Sequence, residues 1–217
     1  MTPTGPADPH DADATRLARA ALARGDATGW FDELYLESAT AGSVVPWDSS
    51  EPNPVLVGWA GTRPLRGRAV VVGAGRGRDA ELIASLGADT TAFDISPAAV
   101  EQAMARHPGS PVRYVAADLF ALPTDWYGAF DLVVESYTVQ SLPVELHERA
   151  IDAVVSLLAP GGTLVATGHI GTSGADAGGP PWPLVPAEID RFAAGGSRVV
   201  RRDEPQPGRW LLELART

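Results

Sequence analysis

The sequence predicts an α/β fold in which one domain is built on a doubly wound, mostly parallel, Rossmann-like sheet. From residue 69 onward, short apolar runs alternate with segments of helical composition, and strands that alternate with helices form a parallel sheet with helices on both faces. The length of 217 residues suits one domain with a substantial core around such a sheet.

The order of the predicted elements follows from local sequence. Residues 69–73, "AVVVG", predict a buried strand, and "RDAELIASLG" predicts the helix after it. A second strand, "DTTAFD", leads to a helix with Ser96 at its N-cap and Pro97 in its first turn. Three further strands, a helix and a final hairpin at the sheet edge are predicted from "VRYVAADLF", "FDLVVES", "PVELHERAIDAVVSLLAP", "TLVATGHI", "SRVVRRDE" and "RWLLELA".

Two segments precede the first strand. Residues 1–14 are rich in Pro, Asp, Ala and Thr and are expected to form a flexible tail. Residues 15–64 form an aromatic leader, which begins with a short helix predicted from "TRLARAALAR" and stopped by Gly25. The rest of the leader is too punctuated by proline to predict one regular element. We expect a single domain over residues 15–217.

Composition restricts the function. A formal net charge of −10 and a pI ≈ 4.8 argue against a nucleic-acid partner, which requires a dense cationic surface. The chain has no cysteine, and all 17 basic residues are arginine, so thiol nucleophiles and Schiff-base lysines are excluded. No apolar run approaches the roughly 20 residues that span a membrane, and no secretion signal is apparent. We expect a cytoplasmic protein with no membrane partner.

The stretch "VVVGAGRGRDA", residues 70–80, predicts a ligand-binding turn. Glycines after the first strand of a doubly wound sheet let the backbone approach a ligand closely. The dinucleotide fingerprint requires the spacing G-x-G-x-x-G, but Gly73, Gly75 and Gly77 give G-x-G-x-G, and Arg78 stands in place of the last glycine. An NAD(P)-dependent oxidoreductase is therefore a remote alternative, and the Tyr-x-x-x-Lys pair of some such enzymes is impossible without lysine.

Two carboxylates follow the next two strands. Asp94 ends the second strand, 19 residues after Gly75 (94 − 75), where a carboxylate can accept hydrogen bonds from both hydroxyls of a ribose. Asp94 could instead serve only the dipole of the following helix. Asp118 follows the third strand, at the position where an adenine amino group would be recognised. The pattern favours a ligand that contains a nucleoside.

The motifs "VVVGAGRG", "AFDIS", "AADLF", "FDLVVES" and "LLAPGGTLVATG" closely resemble those of the class I S-adenosylmethionine-dependent methyltransferases over about residues 65–170. The resemblance implies a seven-stranded sheet whose last strand is antiparallel. It also implies that S-adenosyl-L-methionine binds across the strand ends. The implied cofactor contacts, from the methionine end through the ribose and adenine to the transferring centre, are Gly73, Gly75 and Gly77, Asp94 and Ile95, Asp118 and Leu119, and Glu135.

The leader resembles a narrower group. Trp30 in "GWFDELY" and Trp47 in "VVPWDSSEPNP", with the later "GGPPWP" and "GRW", are similar to the thiopurine S-methyltransferase-like group, which includes halide and thiol methyltransferases. In that group the leader closes over the cofactor, and indole faces suit a cationic sulfonium. The resemblance implies that Trp30 and Trp47 contact the cofactor. Both could instead be core anchors, which we expect for Trp59, and the role of Tyr35 is left open.

The acceptor site is expected after the fourth and fifth strands, where class I enzymes place the acceptor. Its candidate residues are Tyr137, Thr138, Gln140, His169 and Trp182. The catalytic residue is not identified, and Tyr137 and His169 are the candidates. His169 could act as a base, or it could be an ordinary hydrogen-bonding residue of a strand end. Because no residues have metal-ligand spacing, we predict no metal.

Methyl transfer from a sulfonium removes a positive charge, so the site mainly needs alignment, desolvation and a free lone pair on the nucleophile. A thiol, with an ordinary pKa near 8.5, is partly ionised at neutral pH and needs no dedicated base. We therefore predict a methyltransferase that acts on a thiol sulfur of a small molecule, in detoxification or specialised metabolism. Alternatives are transfer to nitrogen or oxygen of a heterocycle or phenol, and a cofactor-binding protein without catalysis. A monomer or weak homodimer is expected.

Overall fold

A seven-stranded mixed sheet flanked by helices organises the chain, and the computed structural model describes residues 11–171 and 179–217. The strands are β1 (Arg68–Val72), β2 (Asp89–Asp94), β3 (Arg113–Ala116), β4 (Phe130–Ser136), β5 (Leu158–His169), β6 (Ser197–Gln206) and β7 (Arg209–Arg216). The helices are α1 (Ala12–Leu22), α2 (Gly29–Thr40), α3 (Pro54–Ala60), α4 (Arg78–Ser85), α5 (Pro97–Arg106), α6 (Val144–Ser156) and α7 (Pro186–Arg191). In space the strand order is β3-β2-β1-β4-β5-β7-β6, which confirms the predicted fold class.

β1 lies in the parallel part of the sheet, between β2 and β4. Residues 69–72 of this strand are all buried, as expected for a parallel strand that is covered on both faces. Val70 and Val72 belong to one apolar cluster, and Ala69 and Val71 belong to another. Because successive side chains of a strand point to opposite faces, the sheet has one core layer on each side.

The last strand is antiparallel, as the resemblance implied. β7 pairs in antiparallel fashion with β5 on one side and with β6 on the other. The predicted terminal hairpin is therefore present, with β6 at the sheet edge and β7 inserted next to β5. This insertion brings Arg209, the first residue of β7, opposite His169 at the end of β5.

The leader is more regular than its sequence predicts. α1 begins at Ala12, two residues before the expected end of the flexible tail at residue 14, and residues 1–10 lie outside the described part. α2 and α3 fill much of the segment for which no regular element was predicted. The apolar residues of α2 do not form one clean stripe, because Trp30 and Tyr35 are buried while Leu36 is exposed. In the described residues, no helix is long and apolar enough to cross a membrane.

Candidate functional site

Two adjoining cavities open at the carboxyl ends of the parallel strands. The smaller, of about 80 Å³, is lined mainly by aromatic and apolar side chains, and its charged residues are Asp94 and Asp118. The larger, of about 790 Å³, is more polar and extends from the glycine turn to the start of β7. Both cavities share the residues Trp47, Gly73, Ser136, Tyr137 and Ser141. Strand ends of open α/β sheets are the usual place for a ligand.

The glycine turn after β1 forms part of the wall shared by the cavities. Gly73 has φ 65°, and a Cβ there would lie 2.2 Å from Thr138 Oγ1, so only glycine fits. Gly75 lines the larger cavity. Gly77 lines neither cavity; it caps α4 with φ 87°, and a Cβ there would lie 2.3 Å from Tyr114 Oη. Gly77 thus has a packing role in this structure.

Asp94 lies at the end of β2 with its carboxylate held by the backbone. Oδ2 accepts a hydrogen bond from Gly75 N at 2.9 Å, and Oδ1 accepts one from Ser96 N at 3.0 Å. Burial raises the pKa of Asp94, while the backbone N–H groups of Ser96, Gly75 and Ile95 oppose that rise. Asp94 and Ile95 both line the smaller cavity. The carboxylate is therefore fixed in position and faces the space where a ribose was predicted.

Asp118 and Leu119 follow β3 and also line the smaller cavity. Asp118 Oδ1 accepts a hydrogen bond from Phe120 N at 2.8 Å, which orients the carboxylate within its own turn. The structure therefore brings the predicted ribose residue and the predicted adenine residues together in one cavity, at the ends of neighbouring strands.

The leader supplies an aromatic wall, but the two predicted tryptophans differ. Trp47 lines both cavities, and its Nε1 donates a hydrogen bond to Tyr35 Oη at 2.8 Å. Trp30 is fully buried, lines neither cavity and stacks on Phe31 at a centroid distance of 4.0 Å. Phe31 and Tyr35 line the smaller cavity instead. They lie four residues apart on α2, so helical periodicity would have identified this pair.

Polar contacts hold the leader over the smaller cavity. Arg76 of the glycine turn and Arg106 of α5 both form ion pairs with Asp48, which follows directly on Trp47. Asp32 of α2 accepts hydrogen bonds from Ser96 Oγ at 2.7 Å and from the backbone N–H at the start of α5 at 3.0 Å. The leader is thus attached both to the glycine turn and to the helix that follows Asp94.

Tyr137 and His169 lie together at the ends of β4 and β5. Tyr137 has φ 64°, a conformation that a non-glycine residue rarely adopts and that is often found at functional sites. Its ring stacks on that of His169 at a centroid distance of 5.2 Å. Burial and the charge of Arg209 lower the pKa of His169, and burial raises the pKa of Tyr137. At neutral pH the imidazole is therefore uncharged and able to accept a proton.

Of the other three predicted acceptor residues, two line a cavity and one does not. Thr138 lines the smaller cavity, and its hydroxyl donates to Val72 O at 2.9 Å. Gln140 lines the larger cavity, but its Oε1 accepts a hydrogen bond from His169 N at 2.7 Å, so this amide also orients the end of β5. Trp182 is buried among the leader helices and lines neither cavity. Neighbouring prolines line the larger cavity instead: Pro180, Pro181 and Pro183.

Glu135 was predicted beneath the transferring centre, and the structure places it behind the cavity wall. It belongs to β4, is 1% exposed and lines neither cavity. Its Oε1 accepts a hydrogen bond from Val139 N at 3.0 Å, and burial raises its pKa to about 7. This hydrogen bond stabilises the turn that contains Tyr137 and Thr138.

Three arginines line the larger cavity, Arg76, Arg78 and Arg209, and none was predicted as a site residue; Arg76 forms an ion pair with Asp48. Arg78, noted in the sequence only as a departure from the dinucleotide fingerprint, lines this cavity, and its buried Nε has no hydrogen-bond partner in the described chain. Arg209 also lines it, and it donates a hydrogen bond to Tyr137 Oη. Their position in "GRGRD" and "PGRW" gave no signal beyond their charge. Among residues 11–171 and 179–217, no group of three or more His, Asp or Glu side chains could hold a metal ion.

Methyltransferases are among the known proteins to which the chain is similar. A family described as "Methyltransferase domain" matches residues 70–166. Thiocyanate methyltransferase 1 of Arabidopsis thaliana is 30% identical over 152 residues, which are 65% of this chain and 63% of that protein. A ubiquinone biosynthesis O-methyltransferase of Xanthomonas campestris pv. campestris is 35% identical over 145 residues, 62% of this chain and 60% of that protein. The chain thus spans less than two thirds of these two relatives.

Known structures share the fold. One, from work on the conversion of a disulfide bond into a thioacetal group during echinomycin biosynthesis, has a TM-score of 0.68 at 24% identity and covers 87% of this chain and 92% of its own. Another is a 1,6-didemethyltoxoflavin-N1-methyltransferase of Burkholderia thailandensis with bound S-adenosylhomocysteine. Its TM-score is 0.58 at 20% identity, over 99% of this chain and 92% of its own.

Proposed function

We propose that this chain, which belongs to the class I S-adenosylmethionine-dependent methyltransferases, transfers a methyl group to the sulfur of a small-molecule thiol. The family follows from the domain match, the relatives and the fold. The observation that carries the choice of sulfur is the similarity to a thiocyanate methyltransferase over 152 residues.

The described residues fit S-adenosyl-L-methionine, the cofactor of this class. The Asp94 carboxylate would accept hydrogen bonds from the ribose hydroxyls, and Asp118 and Leu119 would contact the adenine. Phe31, Tyr35 and Trp47 give the smaller cavity an aromatic wall, which suits both a base and a sulfonium. When bound, the cofactor supplies an electrophilic methyl group.

Arg78 is the residue that we assign to the carboxylate at the methionine end of the cofactor. It follows the glycine turn as the first residue of α4, and the resemblance assigns this turn to the methionine end. Its side chain lines the larger cavity, and its buried Nε has no partner in the part of the chain that the structure describes. A guanidinium has several donors in a planar fork that matches a carboxylate. An anion at this position would satisfy the free donor.

His169 is the residue that we assign to the proton of the acceptor thiol. Its pKa is lowered by burial and by Arg209, so it is neutral at physiological pH and can accept a proton from a bound thiol. Tyr137 holds the imidazole by stacking, and Gln140 fixes the backbone of His169. Many thiols are already partly ionised at neutral pH. Proton transfer to His169 therefore increases the rate of methyl transfer only modestly.

An oxygen acceptor is the second candidate, and one observation favours it. The ubiquinone biosynthesis O-methyltransferase is more similar in identity, at 35%, than the thiocyanate methyltransferase, at 30%. A phenol, with an ordinary pKa near 10, would depend on His169 more strongly than a thiol does.

The test is a methyl-transfer assay with S-adenosylmethionine that measures formation of S-adenosylhomocysteine. The acceptors are aryl, heterocyclic and alkyl thiols, thiocyanate and iodide, phenols, and azaheterocycles, at one concentration and pH. Turnover of thiols at rates well above all other classes is expected. Turnover of phenols or ring nitrogens alone would reject sulfur and keep the methyltransferase assignment. Thermal-shift measurements with S-adenosylhomocysteine and NADH serve as a control, because only the former should stabilise the protein.

A further inference from the structure

Arg209 lines the larger cavity, and among the described residues its side chain donates one hydrogen bond, to Tyr137. A guanidinium has five N–H donors, and the contacts of Arg209 are with Tyr137: a hydrogen bond to the hydroxyl and a position 5.7 Å from the ring centroid. No carboxylate pairs with Arg209 in the described part of the chain, whereas Asp48 in the same cavity is paired with Arg76 and Arg106. A guanidinium matches the geometry of a carboxylate or phosphate and forms strong, charge-assisted hydrogen bonds with it.

The sheet order separates Arg209 from the cofactor side of the site. Arg209 begins β7, and β4 and β5 lie between β7 and β1. With neighbouring strands about 4.8 Å apart, the start of β7 is roughly 14 Å from the end of β1, where the glycine turn lies. Arg78 and Arg209 line the same larger cavity, and the strand order places them apart within it. The anion at Arg209 is therefore not the methionine carboxylate, for which Arg78 is in place.

From these contacts we infer that the acceptor carries an anionic group, separate from the atom that is methylated, and that Arg209 binds this group. The inference rests on the proposed function, because it concerns the acceptor of the same site. Tyr137 lines both cavities and reaches Arg209 with its hydroxyl, so the guanidinium lies about one aromatic side chain beyond the point where the cavities meet. A lone halide or thiocyanate ion cannot span this length, whereas an aryl thiol with a carboxylate on the opposite side of its ring can. The volume of about 790 Å³ accommodates such a molecule.

The test compares pairs of acceptors that differ only in charge. The sulfur pair is 4-mercaptobenzoate and 4-mercaptobenzamide, and the oxygen pair is 4-hydroxybenzoate and 4-hydroxybenzamide. For the wild type, we expect kcat/KM to be at least about tenfold higher for the carboxylate of the pair that is turned over. Arg209→Met should remove this preference, and Arg209→Lys should retain part of it. Arg198→Met, on the exposed edge strand β6, is the matched control and should leave the preference unchanged.

A binding experiment keeps the inference independent of turnover. Calorimetric titration of 4-(methylthio)benzoate and its amide into the complex with S-adenosylhomocysteine measures the same preference without chemistry. Equal binding of acid and amide by the wild type, no binding of either, or an unchanged preference in Arg209→Met would overturn the role of Arg209. A carboxylate preference that appears only for the oxygen pair would support the inference and reject sulfur. Unchanged affinity of Arg209→Met for S-adenosylhomocysteine excludes a general folding defect.

Discussion

The two cavities differ in how their polar groups are satisfied. In the smaller cavity, Asp94 accepts hydrogen bonds from two backbone N–H groups, and Trp47 and Tyr35 are hydrogen-bonded to each other. In the larger cavity, counting only partners among residues 11–171 and 179–217, Nε of Arg78 is unpartnered and the side chain of Arg209 donates only to the hydroxyl of Tyr137. The smaller cavity is therefore preorganised by the protein itself, while the larger one holds donors that a ligand has to satisfy. Substitutions in the two cavities should differ accordingly.

The largest pH-dependent change in the free energy of unfolding is expected at Glu135, behind the wall that joins the cavities, and Glu135→Gln tests it. Burial raises the pKa of Glu135 to about 7, so the native protein keeps a proton that the unfolded chain releases above its ordinary carboxyl pKa. The free energy of unfolding of the wild type should therefore fall as pH rises from about 4.5 to 7, by on the order of 3 kcal/mol in total. Glu135→Gln should not show this loss.

Urea unfolding from about pH 5 to pH 8 measures this difference, with Glu145→Gln on the exposed side of α6 as the control. Because Glu135 lines neither cavity, affinity for S-adenosylhomocysteine should change little. If the free energies of unfolding of variant and wild type differ by the same amount at every pH, Glu135 is ionised in the native protein throughout the range.

The second effect concerns the preorganised cavity. Asp94→Ala removes a buried carboxylate that accepts backbone hydrogen bonds and faces the predicted ribose. We expect affinity for S-adenosylhomocysteine to weaken by about 1–3 kcal/mol, measured by isothermal titration calorimetry. Asp125→Ala, on an exposed turn, is the control. An unchanged dissociation constant for Asp94→Ala would remove this carboxylate from the binding site and leave it only its role at the start of α5.

The third prediction compares a tryptophan of the leader that lines the cavities with one that is packed in the core. Trp47 lines both cavities, whereas Trp59 is packed in the core on one face of the sheet. Trp47→Ala should weaken S-adenosylhomocysteine binding about tenfold, or ~1.4 kcal/mol. Trp59→Ala should lower the melting temperature, since loss of a buried tryptophan costs about 3–5 kcal/mol, with little change in affinity per folded molecule. A change in thermal stability alone for Trp47→Ala would make it a core anchor as well.

The smallest effect is expected in the larger cavity for His169→Gln. With an alkyl thiol acceptor, kcat/KM near pH 7 should fall about fivefold, or ~1 kcal/mol, because the neutral imidazole no longer accepts the thiol proton. The deficit should shrink as pH approaches the thiol pKa near 8.5, where the thiol ionises without help. In the wild type, activity should fall as pH is lowered through the depressed pKa of His169. A deficit independent of pH would indicate that His169 only positions the acceptor.

Much of the smaller cavity could be predicted from sequence because each of its parts is local. The strand, the glycine turn and the start of α4 are contiguous, and a parallel strand order brings the segments after β1, β2 and β3 to one edge. The leader was less predictable. Whether Trp30 or Phe31 faces the cavity depends on the rotation of α2 about its axis, which its packing against α1 and α5 decides. Tertiary packing also decides the position of Trp182, which is adjacent in sequence to cavity prolines but is buried against the leader.

The sequence by itself determined the fold class, the position of the glycine turn and the carboxylates at the ends of β2 and β3, because these depend on short-range patterns of apolar residues, caps and glycines. Only the tertiary structure decided which side chains form the larger cavity. Arg209 and Tyr137 are 72 residues apart in the chain, and they meet because β7 inserts antiparallel beside β5. Such a contact depends on strand order and register, which no local sequence pattern encodes.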